Sequence, residues 1–337
     1  MENPVLVEVT RGGAVESRHR GSAIVVDADG TVVLAIGDVD QPVFPRSAVK
    51  ALQALPLVEG GFADRFGLTD AEIALCCSSH SGEAHHVAAS ASMLQKAGRD
   101  ASCLECGAHW PVYEGAARAL AVSGGTPTAL HNNCSGKHAG FVCLSCGLDE
   151  DPAGYVKASH RVQQEVRGAL VEMTGAAHEI AHMGIDGCSI PTYAVPLRAM
   201  ALGFARFGAG GGKGALMGPE RVKAAARIRG AVAANPRMVS GTGRFDTVAM
   251  TALGARAFTK TGAEAVFCGA LPELGLGISL KIDDGTTRAS EAVMATLLKR
   301  FLPLEGEQQA VISQLAAPTL RNWNGIEVGS VKAVGLT

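Results

Sequence analysis

Ser47 and Lys50 form the only Ser-x-x-Lys pair in this chain, and Lys260-Thr261-Gly262 is its only Lys-Thr-Gly. A serine hydroxyl is too weak an acid to attack unaided, so a base must take its proton within hydrogen-bond reach. Lys50, one helical turn beyond Ser47, meets that demand if its amine is neutral, and a second cation such as Lys260 would help it lose its proton. Serine β-lactamases and penicillin-binding proteins use this pairing of Ser-x-x-Lys with a downstream Lys-Thr-Gly. Their third element, Ser-Asp-Asn, occurs nowhere here. For an isolated Ser-x-x-Lys, a serine N-cap followed by a solvated lysine is the better reading, and the second motif shifts the balance to catalysis.

Those residues need elements to hold them. Residues 4 to 10 and 21 to 36 alternate apolar and polar groups around an Asp29-Gly30 turn, which predicts an antiparallel hairpin. Beyond Pro42 and Pro45, Ser47 is placed to open a helix carrying Lys50 on the same face. Helical patterns recur near 83–97, 112–122, 153–173, 194–207 and 220–234. Strand character returns at Ala265–Leu271 and Gly277–Ile282, followed by a final helix near 290–302. The two strand-rich ends predict one antiparallel sheet in an α/β sandwich, with an inserted helical lobe and a cleft between the lobes. We expect one catalytic domain over 1–337, its strand-rich lobe at about 1–45 and 240–337 and its helical lobe at about 46–239. Gly208–Gly214 departs from a phosphate loop, with Phe207 in place of the first glycine and Gly214 in place of Ser or Thr, and reads as a connector.

Several loops between the helices are dense in reactive groups. Ser79, in Cys76-Cys77-Ser78-Ser79-His80-Ser81-Gly82-Glu83, could project into a site; the alternative is that Ser81 caps the next helix and the other hydroxyls serve the backbone. His80, Glu83, His85 and His86 match no His-Glu-x-x-His spacing and read as polar surface or support. Cys134 and Cys188 could hold zinc as thiolates if the fold joins them, although free cysteines are usually small buried hydrophobes. Cys103-x-x-Cys106 with Cys143-x-x-Cys146 is too widely separated for a compact zinc ribbon, and core packing is the better account.

Composition narrows the partners. The 337 residues are 47% hydrophobic and 18% charged, with a net charge of -2, which gives no electrostatic reason to expect nucleic acid or an anionic membrane. No stretch is long and apolar enough to span a bilayer, and the first residues lack the apolar core of a secretory signal. Nine cysteines, including the adjacent Cys76 and Cys77, fit a reducing compartment, so a cytoplasmic address is expected.

Six blocks together resemble the asparaginase II family, whose best-known members are rhizobial L-asparaginases: Phe44-Pro45-Arg46-Ser47-Ala48-Val49-Lys50, Ser78–Glu83, Cys106–Pro111, Asn132–His138, Gly184–Cys188 and Ser240–Asp246. The resemblance spans nearly the whole chain. It implies a serine β-lactamase/glutaminase-like fold and hydrolysis of L-asparagine to L-aspartate and ammonia, in a homodimer. It implies Ser47 as nucleophile with Lys50 as base, a second pair of Ser79 with Lys260, and a modulatory zinc on Cys134, Lys137 and Cys188. Arg46, His80 and Asp186 are expected to bind substrate. Competing readings are a glutaminase, a β-lactamase-like or esterase hydrolase, and a non-catalytic zinc or amino-acid binding protein.

Overall fold

A computed structural model describes residues 2–212 and 217–336. Its centre is an eight-stranded antiparallel sheet drawn from both parts of the chain. The strands are β1 (Val5–Arg11), β2 (Ala14–Asp27), β3 (Val32–Ile36), β4 (Phe258–Thr261), β5 (Val266–Leu271), β6 (Leu276–Ile282), β7 (Thr319–Arg321) and β8 (Glu327–Ala333). They run in the order β7-β8-β1-β2-β6-β5-β4, with β3 also paired to β2. The expected Asp29-Gly30 turn joins β2 to β3, with Gly30 at φ +90° and the Asp27 carboxylate accepting from the Asp29 and Thr31 amides. β2 is long enough to change partners: Ala14–Arg20 pairs with β1, and Gly21–Asp27 with β6.

The sheet has a core on each face. On one side, Ala23, Val25, Phe267, Ile278 and Leu280 pack with the helices Thr287–Phe301 and Gly306–Ala316. On the other, Ile24, Val26, Phe258, Val266 and Cys268 join the cluster that includes helices Asp70–Cys76, Ser135–Gly147, Arg161–Thr174, Leu197–Ala209 and Pro219–Ala234. The result is the expected α/β sandwich, in which alternation along each strand sends successive side chains to opposite layers. Helix Leu197–Ala209 lies hard against the sheet at Gly277, where an added Cβ would sit 2.0 Å from the Ala201 carbonyl oxygen. A side chain there would force the layers apart.

The helices match four of the predicted segments closely, at Ala84–Lys96, Glu114–Val122, Leu197–Ala209 and Pro219–Ala234, whereas the helix expected over 153–173 begins only at Arg161, after a stretch of turns, and ends at Thr174. Two further differences matter. Ser47 lies in a 3-10 turn, Arg46–Val49, rather than opening an α-helix, and its side chain caps nothing. Helix Gly306–Ala316 and the β7–β8 hairpin extend the fold beyond the helix expected to be last. In the Gly-rich run, Gly208 belongs to helix Leu197–Ala209, whereas 213 and 214 lie outside the described residues. No helix among the described residues is long and apolar enough to cross a membrane.

Candidate active site

Three segments converge on one buried hydroxyl. Helix Asp70–Cys76 starts with a Thr69–Glu72 capping box and hands the chain, through a turn at Cys77, to Ser78 and Ser79 outside regular secondary structure. That turn is held between two neighbours, with the Ser79 amide donating to the Val239 carbonyl and the His80 amide to the Asn133 carbonyl. Lys50, from helix Lys50–Gln53, reaches in from one side and places its Nζ 2.9 Å from Ser79 Oγ. Lys260, from β4, reaches in from the other and places its Nζ 3.1 Å from the same oxygen. Both amines are buried.

The strand and the Ser47 turn touch at Gly262. A Cβ there would lie 2.9 Å from the Pro45 carbonyl oxygen and 3.1 Å from the Ala48 amide nitrogen. The glycine of Lys-Thr-Gly therefore lets the end of β4 lie directly on the turn that carries Ser47. Arg46, just before that serine, is held at φ +50°, a region sparsely populated by non-glycine residues and often found at functional sites.

Lys50 does not hydrogen-bond to Ser47. Its Nζ faces three acceptors deeper in the protein, Ser78 O at 2.5 Å, Ser79 Oγ and Cys134 Sγ at 3.1 Å, while Ser47 stays half-buried. The direct Ser47–Lys50 contact expected from helical spacing is thus replaced by a Lys50–Ser79–Lys260 chain. Burial drives the Lys260 pKa down to about 7; Asp246 resists that fall, and the Lys50 charge adds to it. An amine poised there can both take and return a proton near neutrality.

The sulfur ligands expected from resemblance lie beside this chain. Helix Ser135–Gly147 is buried along almost its whole length, and its glycines admit close neighbours: a Cβ on Gly136 would meet Leu75 O at 2.5 Å. Asn132 shapes the loop at its start, accepting from the Cys134 amide and donating to the Cys106 and Gly107 carbonyls. Lys137 Nζ stands 2.9 Å from Cys188 Sγ, and Lys50 Nζ stands 3.1 Å from Cys134 Sγ, which also donates to Asn133 Oδ1. The neighbouring Cys188 thiol, together with the Lys50 and Lys137 charges, holds Cys134 well below an ordinary thiol pKa despite burial, while its pairing with Cys134 and burial raise Cys188. Burial also opposes charge on Lys137, but the two sulfurs outweigh it and raise its pKa. Two soft sulfurs and an amine brought together in this way suit zinc chemically.

Among the described residues, Glu83, His85 and His86 also bring possible ligand atoms within 4.8 Å of one another. They suit a metal poorly. His86 Nδ1 accepts from the Glu83 amide and its Nε2 faces the Arg237 carbonyl, while Glu83 accepts from Arg237 and from both Thr242 donors. Burial opposes ionisation of Glu83, yet the Thr242 amide and Arg237 bring its pKa down to about 2. The Cys103, Cys106, Cys143 and Cys146 thiols form no such cluster among the described residues; Cys106 and Cys143 are buried.

His80, expected to be surface or to bind substrate, is fully buried. Its Nδ1 accepts from the Gly82 amide, its Nε2 faces Ser135 Oγ at 2.8 Å, and its ring stacks on His86. With both nitrogens satisfied inside the protein, it braces the Ser79 turn. Arg46 and Asp186, expected to hold the charged ends of a substrate, pair with each other, Nε to Oδ1 at 2.8 Å, and both remain partly exposed. Two charged groups were not singled out as site residues. Arg244 Nη1 donates to the Ser79 carbonyl at 2.8 Å, and buried Asp246 binds both neighbours of Lys260.

The sequence profile described as L-asparaginase II matches residues 7–333. No curated protein matches the chain. Among solved structures, the chain is similar to Mglu in its native form, with 18% identity over 86% of this chain and 67% of that one, and a TM-score of 0.41. It is also similar to a proposed beta-lactamase from Bacteroides dorei DSM 17855, with 15% identity over 83% of this chain and 92% of that one, and a TM-score of 0.41.

Proposed function

Because the chain belongs to the L-asparaginase II family, we propose that it is an L-asparaginase, hydrolysing the side-chain amide of L-asparagine to L-aspartate and ammonia through an acyl-serine. The observation that carries this reading is the single hydroxyl, Ser79 Oγ, bracketed by two buried lysine amines at 2.9 and 3.1 Å. Such a chain moves protons between a nucleophile and a leaving nitrogen.

In the first step Ser47, the more accessible serine, attacks the amide carbon. Its proton passes to Lys50, which is not hydrogen-bonded to Ser47 at rest and must turn its amine from Ser79 toward Ser47 to accept it, and the carbonyl oxygen becomes an oxyanion. Ser79 relays a proton from the lysines to the departing nitrogen, the C–N bond breaks, and ammonia leaves an ester on Ser47. Water then attacks the ester with its proton taken by the same network, and aspartate departs as the Ser47 hydroxyl re-forms. Arg46 and Asp186, paired at the rim, supply one charge of each sign for the carboxylate and ammonium of the substrate. Cys134, Cys188 and Lys137 would hold zinc, which when bound would supply a fixed positive charge that tunes substrate binding.

A second assignment has its own support: Lys260, with its pKa near 7, directly contacts Ser79, so Ser79 is the nucleophile if attack follows the neutral amine. Mass spectrometry of enzyme quenched during turnover separates the two, with aspartyl ester expected on Ser47 and an ester on Ser79 favouring the second. Ammonia release from asparagine, glutamine and a chromogenic β-lactam tests the substrate class. Pure protein that binds asparagine and zinc yet releases no ammonia would refute the enzyme.

A further inference from the structure

The segment Ser240-Gly241-Thr242-Gly243-Arg244-Phe245-Asp246 stood out in the sequence, yet none of its residues enters the steps above. Its contacts run to both partners of the proton chain. At one end it grips the Ser79 turn: Ser81 Oγ donates to the Ser240 carbonyl at 2.7 Å, Thr242 donates to Glu83 from its amide at 2.8 Å and its hydroxyl at 2.7 Å, and Arg244 Nη1 donates to the carbonyl of Ser79 itself. Gly241, at φ +105°, allows this approach, since a Cβ there would lie 2.1 Å from Ser81 Oγ. At the other end Asp246 grips β4, accepting from Thr259 Oγ1 at 3.0 Å and from the Thr261 amide at 3.1 Å. Those two residues flank Lys260 and point to the face of the sheet opposite its amine.

We propose that Arg244 and Asp246 are positioning residues that fix the Ser79 hydroxyl and the Lys260 amine against each other from one short segment. The inference rests on the reading that Lys260 exchanges protons with Ser79. A brace that only filled space would have no reason to end in a cation on the serine's own carbonyl and an anion astride the lysine.

The two charges act on Lys260 in opposite senses. Asp246 favours the ammonium, as does the Cys134 sulfur, while Arg244 and Lys50 disfavour it. The Cys77 and Cys268 thiols also sense the lysine, but burial drives both up to about 12, so they stay neutral near pH 7. Loss of the carboxylate therefore lets Lys260 shed its proton at lower pH, and loss of the guanidinium makes it hold on to higher pH. Glu291 senses Asp246 and Arg244 and is pushed up to about 7 chiefly by burial, so Glu291→Gln is introduced in a parallel set of all the proteins compared, which separates its titration from that of Lys260.

The test follows the labelling of the reactive serine by a fluorophosphonate, whose phosphorus bonds to the serine oxygen as fluoride leaves, alongside kcat/KM for asparagine from pH 5 to 10. Asp246→Asn is expected to move the acid limb of both profiles down by about one pH unit and Arg244→Met to move it up by a similar amount. Arg244→Lys keeps the charge but not the guanidinium contact. It is expected to leave the limb in place while kcat falls about tenfold with little change in KM. Near-UV circular dichroism confirms folding, and if Asp246→Asn does not fold, the Arg244 pair decides alone.

Limbs that coincide with the wild type, or that move in the same direction in both charge-removing variants, overturn the proposal. So does a wild type whose serines label no faster than free serine. Because labelling needs no amide substrate, shifted labelling profiles in a protein that does not hydrolyse asparagine would uphold the positioning role while refuting the asparaginase.

Discussion

Replacing Lys260 with methionine should yield a protein that is catalytically dead and more stable than the wild type at neutral pH. An ordinary lysine, with a pKa near 10.4, is neutral in roughly one molecule in 3,000 at pH 7. At about 7, Lys260 is neutral in about half. Under the proposed mechanism, this one burial gives about a thousandfold more available base. The folded state carries the cost, about 4 kcal/mol at pH 7 for holding a lysine whose pKa has fallen from 10.5 to about 7.

Methionine would also forgo the bonds to Ser79 Oγ at 3.1 Å and Thr261 O at 2.7 Å, worth about 1 kcal/mol each. The expected net gain is about 2 kcal/mol. Its pH dependence has a definite sign. Below pH 7 the lysine is protonated in both folded and unfolded states, and the cost is paid in full. Between about 7 and 10.5 the unfolded chain holds more protons than the folded one, so wild-type stability rises with pH through this group. The variant lacks that rise, and its advantage should vanish by about pH 9.5. Urea unfolding of both proteins at pH 7 and 9.5, with ammonia release as the activity readout, measures all of this. A Lys260→Met protein less stable than wild type at pH 7, with the same gap at pH 9.5, would refute the account of Lys260 as a buried amine poised near neutrality.

Further outcomes follow from other parts of the site. Ser47→Ala and Ser79→Ala should each lower kcat by about a thousandfold or more, but only Ser47→Ala should abolish the trapped aspartyl ester under the first assignment, as quenched-flow mass spectrometry will read. Cys188→Ser should weaken zinc binding at least tenfold in competition with a colorimetric chelator, while leaving the melting temperature of the metal-free protein within a few degrees. Gly262→Ala should cost about 2 kcal/mol or more in chemical unfolding and lower kcat, because its Cβ must displace Pro45 or Ala48 backbone.

The sheet was legible because its strands announce themselves twice, by alternation and by turn chemistry: Asp29-Gly30 falls where the β2–β3 hairpin folds back. Lys260 was legible for a related reason, a short polar motif beside an apolar strand, Val266–Leu271. The β7–β8 hairpin escaped because its strands are mostly exposed or half-buried, so no apolar face marks them. Ser47 was read as helical because Ser-x-x-Lys spacing fits an α-helix, whereas contact with Gly262 accompanies a 3-10 turn and Lys50 bonds elsewhere. His80 looked like a surface residue amid other polar groups, and only its bond to Ser135 Oγ and its stacking on His86 reveal a buried brace. Arg244 and Asp246 carry no local signal of their role, because Arg244 acts on a carbonyl 165 residues away and Asp246 on a strand that pairs only in the finished sheet.

The order in which the sheet is written has a consequence in time. Ser79 and Lys260 are separated by 181 residues, and at about 5 to 20 residues per second the lysine leaves the ribosome at least about 9 seconds after the serine. Until then the segment that will become the helical layer has neither β4 nor β6 to lie on, and β1 waits still longer for β8. Such distant pairings make folding slow. The nascent chain thus carries its serines long before Lys260 can reach them, and under the proposed mechanism hydrolysis would begin only once the two parts of the sheet have met.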